Sequence, residues 1–270
     1  MDIMLRMDDK SYKMDSKAHD ISIAVRFDGS SICVFDSPPA SKTPHVAGEF
    51  IGDVNEGGSC NCDVLTFSPH LHGTHTESVG HIANVKVPIH ELLKESLIPA
   101  TLVSINPQPS NEDYDPAPKA NDKMITRQAL ELALSSGREG FHEALVIRTI
   151  PNTSDKLIKH YGHEMPPFFS SDAMHYLVEL GVKHLLVDMP SIDRLADEGK
   201  LSNHHIFWGV AQGSHEIDNK NPSPKTITEF IYVPDSLLDG NYMLNLQMAA
   251  FASDATPSRP LLHKVTPHEL

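Results

Sequence analysis

Three times in the middle of the chain, a short amphipathic segment is followed by a run of apolar residues. Pro88–Glu95 leads into Ala100–Ile105, Thr126–Ser136 into Ala144–Thr149, and Asp172–Leu180 into His184–Asp188. Apolar positions recurring every three or four residues mark helices, and short continuous apolar runs mark strands buried on both faces. Ser171 reads as a helix cap, with Gly137 and Gly181 as C-terminal stops. Strands of this kind are buried only if the intervening helices pack outside them. The pattern therefore predicts an α/β fold, with a mixed or partly parallel sheet and outer helices.

The flanking segments are read around these units. Residues 1–18 are polar and charged, and are expected to form a loose arm or edge segment before a single domain over residues 19–270. His19–Phe27 alternates apolar and polar residues like a half-buried strand. Asp28-Gly29 marks a turn from which Ser31–Phe35 pairs back as a hairpin. Asn106–Asp122 is expected to be a surface loop or a lid. Later, Thr226–Val233 and Asn245–Phe251 read as strands, and the residues after Pro260 as peripheral. No low-complexity or charged linker divides the 270 residues, so one domain is expected.

Charge narrows the function classes. A formal net charge of −14 at pH 7 argues against nucleic-acid binding, which favours basic surface. No apolar run approaches the roughly 20 residues that span a bilayer. Met1–Lys17 also lacks the apolar core of a signal peptide, so no membrane partner is expected and the cytoplasm is the expected location. The 3 cysteines, including Cys60-x-Cys62, are expected to be reduced thiols.

Chemistry concentrates in Ser68–His81. This stretch holds His70, His72, His75, His81 and Glu77, the ligand types that suit a divalent transition metal. In an extended chain alternate residues share a face, which would align His75, Glu77 and His81. Gly73 and Gly80 permit close approach of the backbone. His70 and His72 precede a possible bend, and either is a candidate for the same point. A site begun on one loop needs partners from elsewhere. Asp188, Ser191 and Asp193, at the end of a buried strand where α/β ligand sites often lie, and the later His204, His205 and Glu229 are candidates for that role.

Gly73-Thr74-His75, with an acid two positions on and His81 six on, resembles the signature of the cyclase family of metal-dependent hydrolases. That family includes bacterial kynurenine formamidases and isatin hydrolases. Its usual pattern is His-x-Gly-Thr-His-x-Asp-x-Pro-x-His, and this chain differs at three positions. Leu71 stands at the first His, Glu77 replaces the Asp, and Val79 replaces the Pro. The resemblance extends diffusely over residues 19–262. It includes Asp188-x-x-Ser191-x-Asp193, and Pro257-Ser258-Arg259 is similar to the family's Ser-Pro-x-Arg segment.

The resemblance implies a barrel-like core of the swivelling β/β/α type and one or two divalent ions, zinc or manganese. Ligands carried over are His75, Glu77, His204 and Glu229, with His70 first and His72 second as substitute for the missing histidine. His205 is the alternate to His204, and Asp188, Ser191 and Asp193 are supporting residues. His81 corresponds to the family's proton-handling group. The implied reaction is hydrolysis of a small-molecule amide, such as N-formylkynurenine or a cyclic amide, by a homo-oligomer (dimer or tetramer). The alternatives are a cyclase or lactone hydrolase on the same scaffold, or a ligand-binding member with altered catalysis.

Overall fold

The computed structural model describes residues 2–7, 9–135, 140–162 and 164–268. Its main sheet has 9 strands. In chain order these are β1 (Asp2–Met7), β2 (Lys10–Asp20), β3 (His75–Glu77), β4 (Ile98–Ile105), β5 (Ala144–Thr149), β6 (His184–Val187), β7 (Thr226–Glu229), β8 (Gly240–Met248) and β9 (Ala255–Pro267). Across the sheet the order is β1-β2-β9-β8-β4-β5-β6-β7-β3. A second pairing of β3 with β9 closes the strands from β9 round to β3 into a barrel.

The strands β4, β5, β6 and β7 run parallel. Their crossovers contain the helices α1 (Arg127–Leu134), α2 (Ser171–Glu179) and α3 (Ser202–Trp208). Thr126 and Ser170 cap α1 and α2 by accepting from the amides of Ala129 and Ala173, so the second cap is one residue earlier than the sequence suggests. Ser136 and Gly137, read as the end of α1, lie outside the described residues.

The apolar runs are continuous because each strand serves two layers. Val103, Ile105, Leu145, Ile147, Leu185 and Val187 form one core with Leu130, Leu177 and Phe207 of the helices. Their neighbours Leu102, Val146 and Leu186 turn the other way, packing with Ile21, Leu244 and Leu262 inside the barrel. Each fully buried aliphatic side chain contributes about 1.5–3 kcal/mol.

Three expectations are overturned. The strand expected at His19–Phe27 ends at Asp20; beyond it, Ile21 bonds to Pro260 and Tyr232 through single backbone hydrogen bonds of 3.1 and 2.8 Å. Cys33–Val34 does not pair back onto that segment but runs parallel to His160–Tyr161. Residues after Pro260 are not peripheral, because β9 lies between β8 and β2 and is the longest strand. Alternation in Leu262, His263, Lys264 and Val265 is too broken by polar residues to reveal a central strand, and only the pairing shows it. β1 and β2 pair antiparallel on the outer edge of the sheet, with β2 against β9. Among the described residues no helix is long and apolar enough to cross a membrane.

Candidate metal centre

The site is built on β3, a three-residue strand held on both sides. Opposite His75 stand Glu229 of β7 and Pro257 of β9; opposite Glu77 stand Ile227 and Ala255. Strand alternation puts His75 and Glu77 on one face. Thr76 faces the other way and bonds to the hydroxyls of Thr228 and Ser258, each at 2.8 Å. Gly73 is required just before the strand, since a Cβ there would lie 2.9 Å from the carbonyl of Ile23. His81 reaches the site differently from the extended chain expected. Val79–His81 is a 3-10 turn, entered at Ser78, that folds the ring back toward Glu77.

Glu229 ends β7, and Phe230 follows with φ of 56°, a left-handed conformation that costs a bulky residue about 1–3 kcal/mol. The hydroxyl of Thr74 donates to the Phe230 carbonyl, and the Phe230 amide donates to that of Met189 at 3.1 Å. These bonds hold the strained link that aims Glu229 inward.

Two halves of the site meet at Glu77. The floor is buried, its side chains no more than 6% exposed. There the Nδ1–H of His75 donates to the Gly73 carbonyl at 3.1 Å, leaving Nε2 3.5 Å from Glu229 Oε2. His204, on α3, donates from Nδ1 to Asp193 Oδ2 at 2.5 Å. Its Nε2 lies 3.0 Å from Glu77 Oε1 and 3.9 Å from Glu229 Oε1. Asp193 also accepts from the Asn203 and His204 amides and the Tyr114 hydroxyl, so one carboxylate fixes both helix start and imidazole.

The mouth is more open. His70 and His81 are 24% and 28% exposed, and Asp254 34%. His70 donates from Nε2 to Asp254 Oδ2 at 3.0 Å, with Nδ1 3.1 Å from Glu77 Oε2. The Nδ1 of His81 lies 3.8 Å from Glu77 Oε2 and 3.6 Å from Asp254 Oδ2.

Each charge in the cluster is set by its neighbours. Burial disfavours ionisation of Glu77, yet the positive fields and hydrogen bonds of His81, His204 and His70 win, holding its carboxyl well below the usual range. His204 is likewise opposed by burial, but Asp193 and Glu77 raise it well above the ordinary imidazole value. His70 is pushed up to about 10: Asp254 and Glu77 outweigh its desolvation. The hydrogen bond from His70 in turn holds Asp254 below the usual carboxylate range. The carboxylates therefore demand positive charge, which protons supply unless a cation takes their place.

The donor set fits a cation. His75 Nε2 is buried without a hydrogen-bond partner, a costly condition that a metal would relieve, and Glu77 Oε2 faces only the imidazoles of His70 at 3.1 Å and His81 at 3.8 Å. Two trios, His70–Glu77–His81 and His75–Glu77–Glu229, each bring their ligand atoms within 4.8 Å of one another.

Neighbouring candidates are sorted by the same geometry. His72 accepts from the Ser68 amide at Nδ1 and donates from Nε2 to the Pro38 carbonyl, both at 2.9 Å, so both its nitrogens are engaged in the loop. Leu71 packs into an apolar cluster with Ile23, Val34 and Phe230. His205 points off α3 into a cavity of about 610 Å³ with His175 and Gln212. Asp188 bonds to Thr149 and to the ammonium of Lys156 at 2.7 Å, and lines a second cavity of about 730 Å³. Ser191 accepts from the Asp193 amide, shaping the turn that presents Asp193. Arg259, 71% exposed, pairs with Asp20 at the surface.

Sequence reasoning missed Asp254 and Tyr114. Asp254 was legible only through the register of β9, one residue before the position opposite Glu77.

The family described as "Putative cyclase" matches residues 19–194. A kynurenine formamidase of Bacillus cereus is 26% identical over 212 residues, spanning 78% of this chain and 83% of that protein. Among solved structures, isatin hydrolase A of Labrenzia aggregata superposes with a TM-score of 0.63 at 14% identity, over 92% of this chain and 93% of its own. A Bacillus stearothermophilus structure titled "predicted metal-dependent hydrolase" superposes with a TM-score of 0.58 at 17% identity, over 92% and 98%.

Proposed function

From the premise that the chain belongs to the cyclase family, we propose that it is a divalent-cation-dependent hydrolase of small-molecule amides. The substrate class is an N-formyl aryl amine, such as N-formylkynurenine, or a cyclic amide. One observation carries this: His70, His75, His81, His204, Glu77 and Glu229, spread over three distant stretches, converge with the buried Nε2 of His75 left unpaired. The similarity to kynurenine formamidases supports the amide.

His75, His204, Glu77 and Glu229 would hold a zinc or manganese ion at the floor, and His70 with Glu77 a second toward the mouth. When bound, such a cation polarises a carbonyl and lowers the pKa of a coordinated water to about 7. The chain does the rest. Asp193 and the Gly73 carbonyl lock the rings of His204 and His75, so no reorganisation is needed as charge develops. His81, partly exposed at the mouth, takes a proton from the attacking water and returns it to the leaving nitrogen.

The test is activity of chelator-stripped protein on N-formylkynurenine, isatin and a panel of lactones, before and after zinc or manganese is restored. Amide or lactam hydrolysis that returns with the metal is the expected result. Turnover indifferent to chelation, or confined to lactones, overturns it. His81→Asn is expected to keep the metal and lose about 10²–10⁴-fold in kcat; loss of metal instead would make His81 a ligand.

A further inference from the structure

We infer that Asp254 is a positioning residue that makes His70 a competent ligand, so that a carboxylate outside the His-rich stretch completes the mouth of the site. The inference rests on the cation-dependent reading above.

His70 lies in a turn closed by the Leu71 amide on the Ser68 carbonyl at 3.2 Å. The ring packs against those of His75 and His81, with centroids 5.1 and 4.3 Å away, which sets its plane but not which nitrogen faces inward. Orientation has to come from a bond, and Asp254 provides it. With Nε2–H donated to Asp254 Oδ2, the ring presents Nδ1 to Glu77 Oε2. The same oxygen lies 3.6 Å from His81 Nδ1, and the His70 and His81 rings stack with centroids 4.3 Å apart. One carboxylate therefore spaces both mouth imidazoles.

Asp254 is itself fixed. The Ser253 hydroxyl donates to Oδ1 at 3.1 Å, and the Asp254 carbonyl accepts from the Ser78 amide at 2.9 Å. The latter bond ties it to the residue after Glu77, so the carboxylate moves with the site.

The parallel with the floor strengthens the assignment. His75 and His204 each donate one ring nitrogen to an outer acceptor, the Gly73 carbonyl and Asp193, and aim the other at the shared carboxylates. Such outer bonds set the tautomer and raise the basicity of a ligating imidazole. His70 repeats the arrangement with the nitrogens exchanged: Nε2 outward, Nδ1 inward.

The experiment titrates zinc(II) into metal-stripped full-length protein against a chromophoric chelator. Wild type is compared with Asp254→Asn, Asp254→Glu, His70→Asn and the Asp254→Asn/His70→Asn double variant. Asp254→Asn is expected to weaken at least one zinc-binding step by about 10–100-fold, with Asp254→Glu recovering part of it. In the double variant the two losses should not add, since Asp254 acts through His70. Zinc affinities unchanged within about twofold in Asp254→Asn, or losses that add fully, overturn the inference. Wild type that binds neither zinc nor manganese would instead sink the functional reading, before any variant is compared. Circular dichroism of the stripped variants checks folding; should Asp254→Asn unfold, the comparison of Asp254→Glu with wild type decides, an unchanged affinity at every step overturning the inference.

Discussion

The floor and the mouth of the site carry the same chemical groups on different supports. At the floor, His75, Glu77 and Glu229 sit on barrel strands whose register leaves them no freedom, and His204 is anchored by a carboxylate that also starts its helix. At the mouth, His70 and His81 ride on turns, with His70 held by one hydrogen bond to Asp254 at 3.0 Å and His81 3.6 Å from the same carboxylate. The lesson is that a rigid half defines where a cation can sit, while a looser half can be rebuilt from different residues. The departures from the family pattern at Leu71 and Val79 both fall in segments that support the mouth.

Glu77 belongs to both halves, so its loss should have the largest effect. Glu77→Gln is expected to abolish stoichiometric zinc binding at floor and mouth alike, read by elemental analysis after dialysis. Retention of one full equivalent would mean that one half works without it. Next in size, Asp193→Asn should weaken floor binding by about 10–100-fold while leaving the mouth step intact. It also removes a buried partner of His204, so a stability loss of about 3–5 kcal/mol is expected in thermal melts. Equal weakening of both steps would erase the distinction between the halves.

A smaller effect concerns pH in the cation-free protein. His70 has its folded value raised from 6.5 to about 10 by Asp254 and Glu77, against its burial. A raised imidazole contributes stability that is fully present below the ordinary value and is lost as pH rises through the folded one. The melting temperature of stripped wild type should therefore fall between pH 6.5 and 10, by about 2–4 °C per kcal/mol. His70→Asn should show a flatter profile; an identical slope would remove His70 as the cause. Smallest of all on the site, His72→Ala should leave zinc affinity unchanged. It should cost about 1–3 kcal/mol of stability, because the Ser68 amide and Pro38 carbonyl lose their partner.

Legibility followed the same division. The floor was readable because Gly73-Thr74-His75 and Glu77 lie together and alternate on a strand, and the α/β class because apolar runs repeat between amphipathic segments. The mouth was less so. His81 arrives through a 3-10 turn where an extended chain was expected, and Asp254 precedes a strand that had looked peripheral. The misread His19–Phe27 segment has the alternation of a strand, but single hydrogen bonds to separate partners replace a ladder there. Periodicity reports which faces are apolar, not what they pair with.

By itself, the sequence determined the kinds of group available to a cation and the parallel α/β units that carry the sheet, since both depend on local composition and period. Which histidine of each close pair turns toward Glu77 was decided only by the tertiary structure. His204 and His205 leave their helix about 100° apart, and either could have faced inward until Asp193 and Glu77 were brought beside one of them. His70 rather than His72 enters the site because Pro38 and Ser68 occupy the one and Asp254, some 184 residues away in the chain, grips the other. Contacts of that range follow from strand register, a property of the closed barrel and of no single segment.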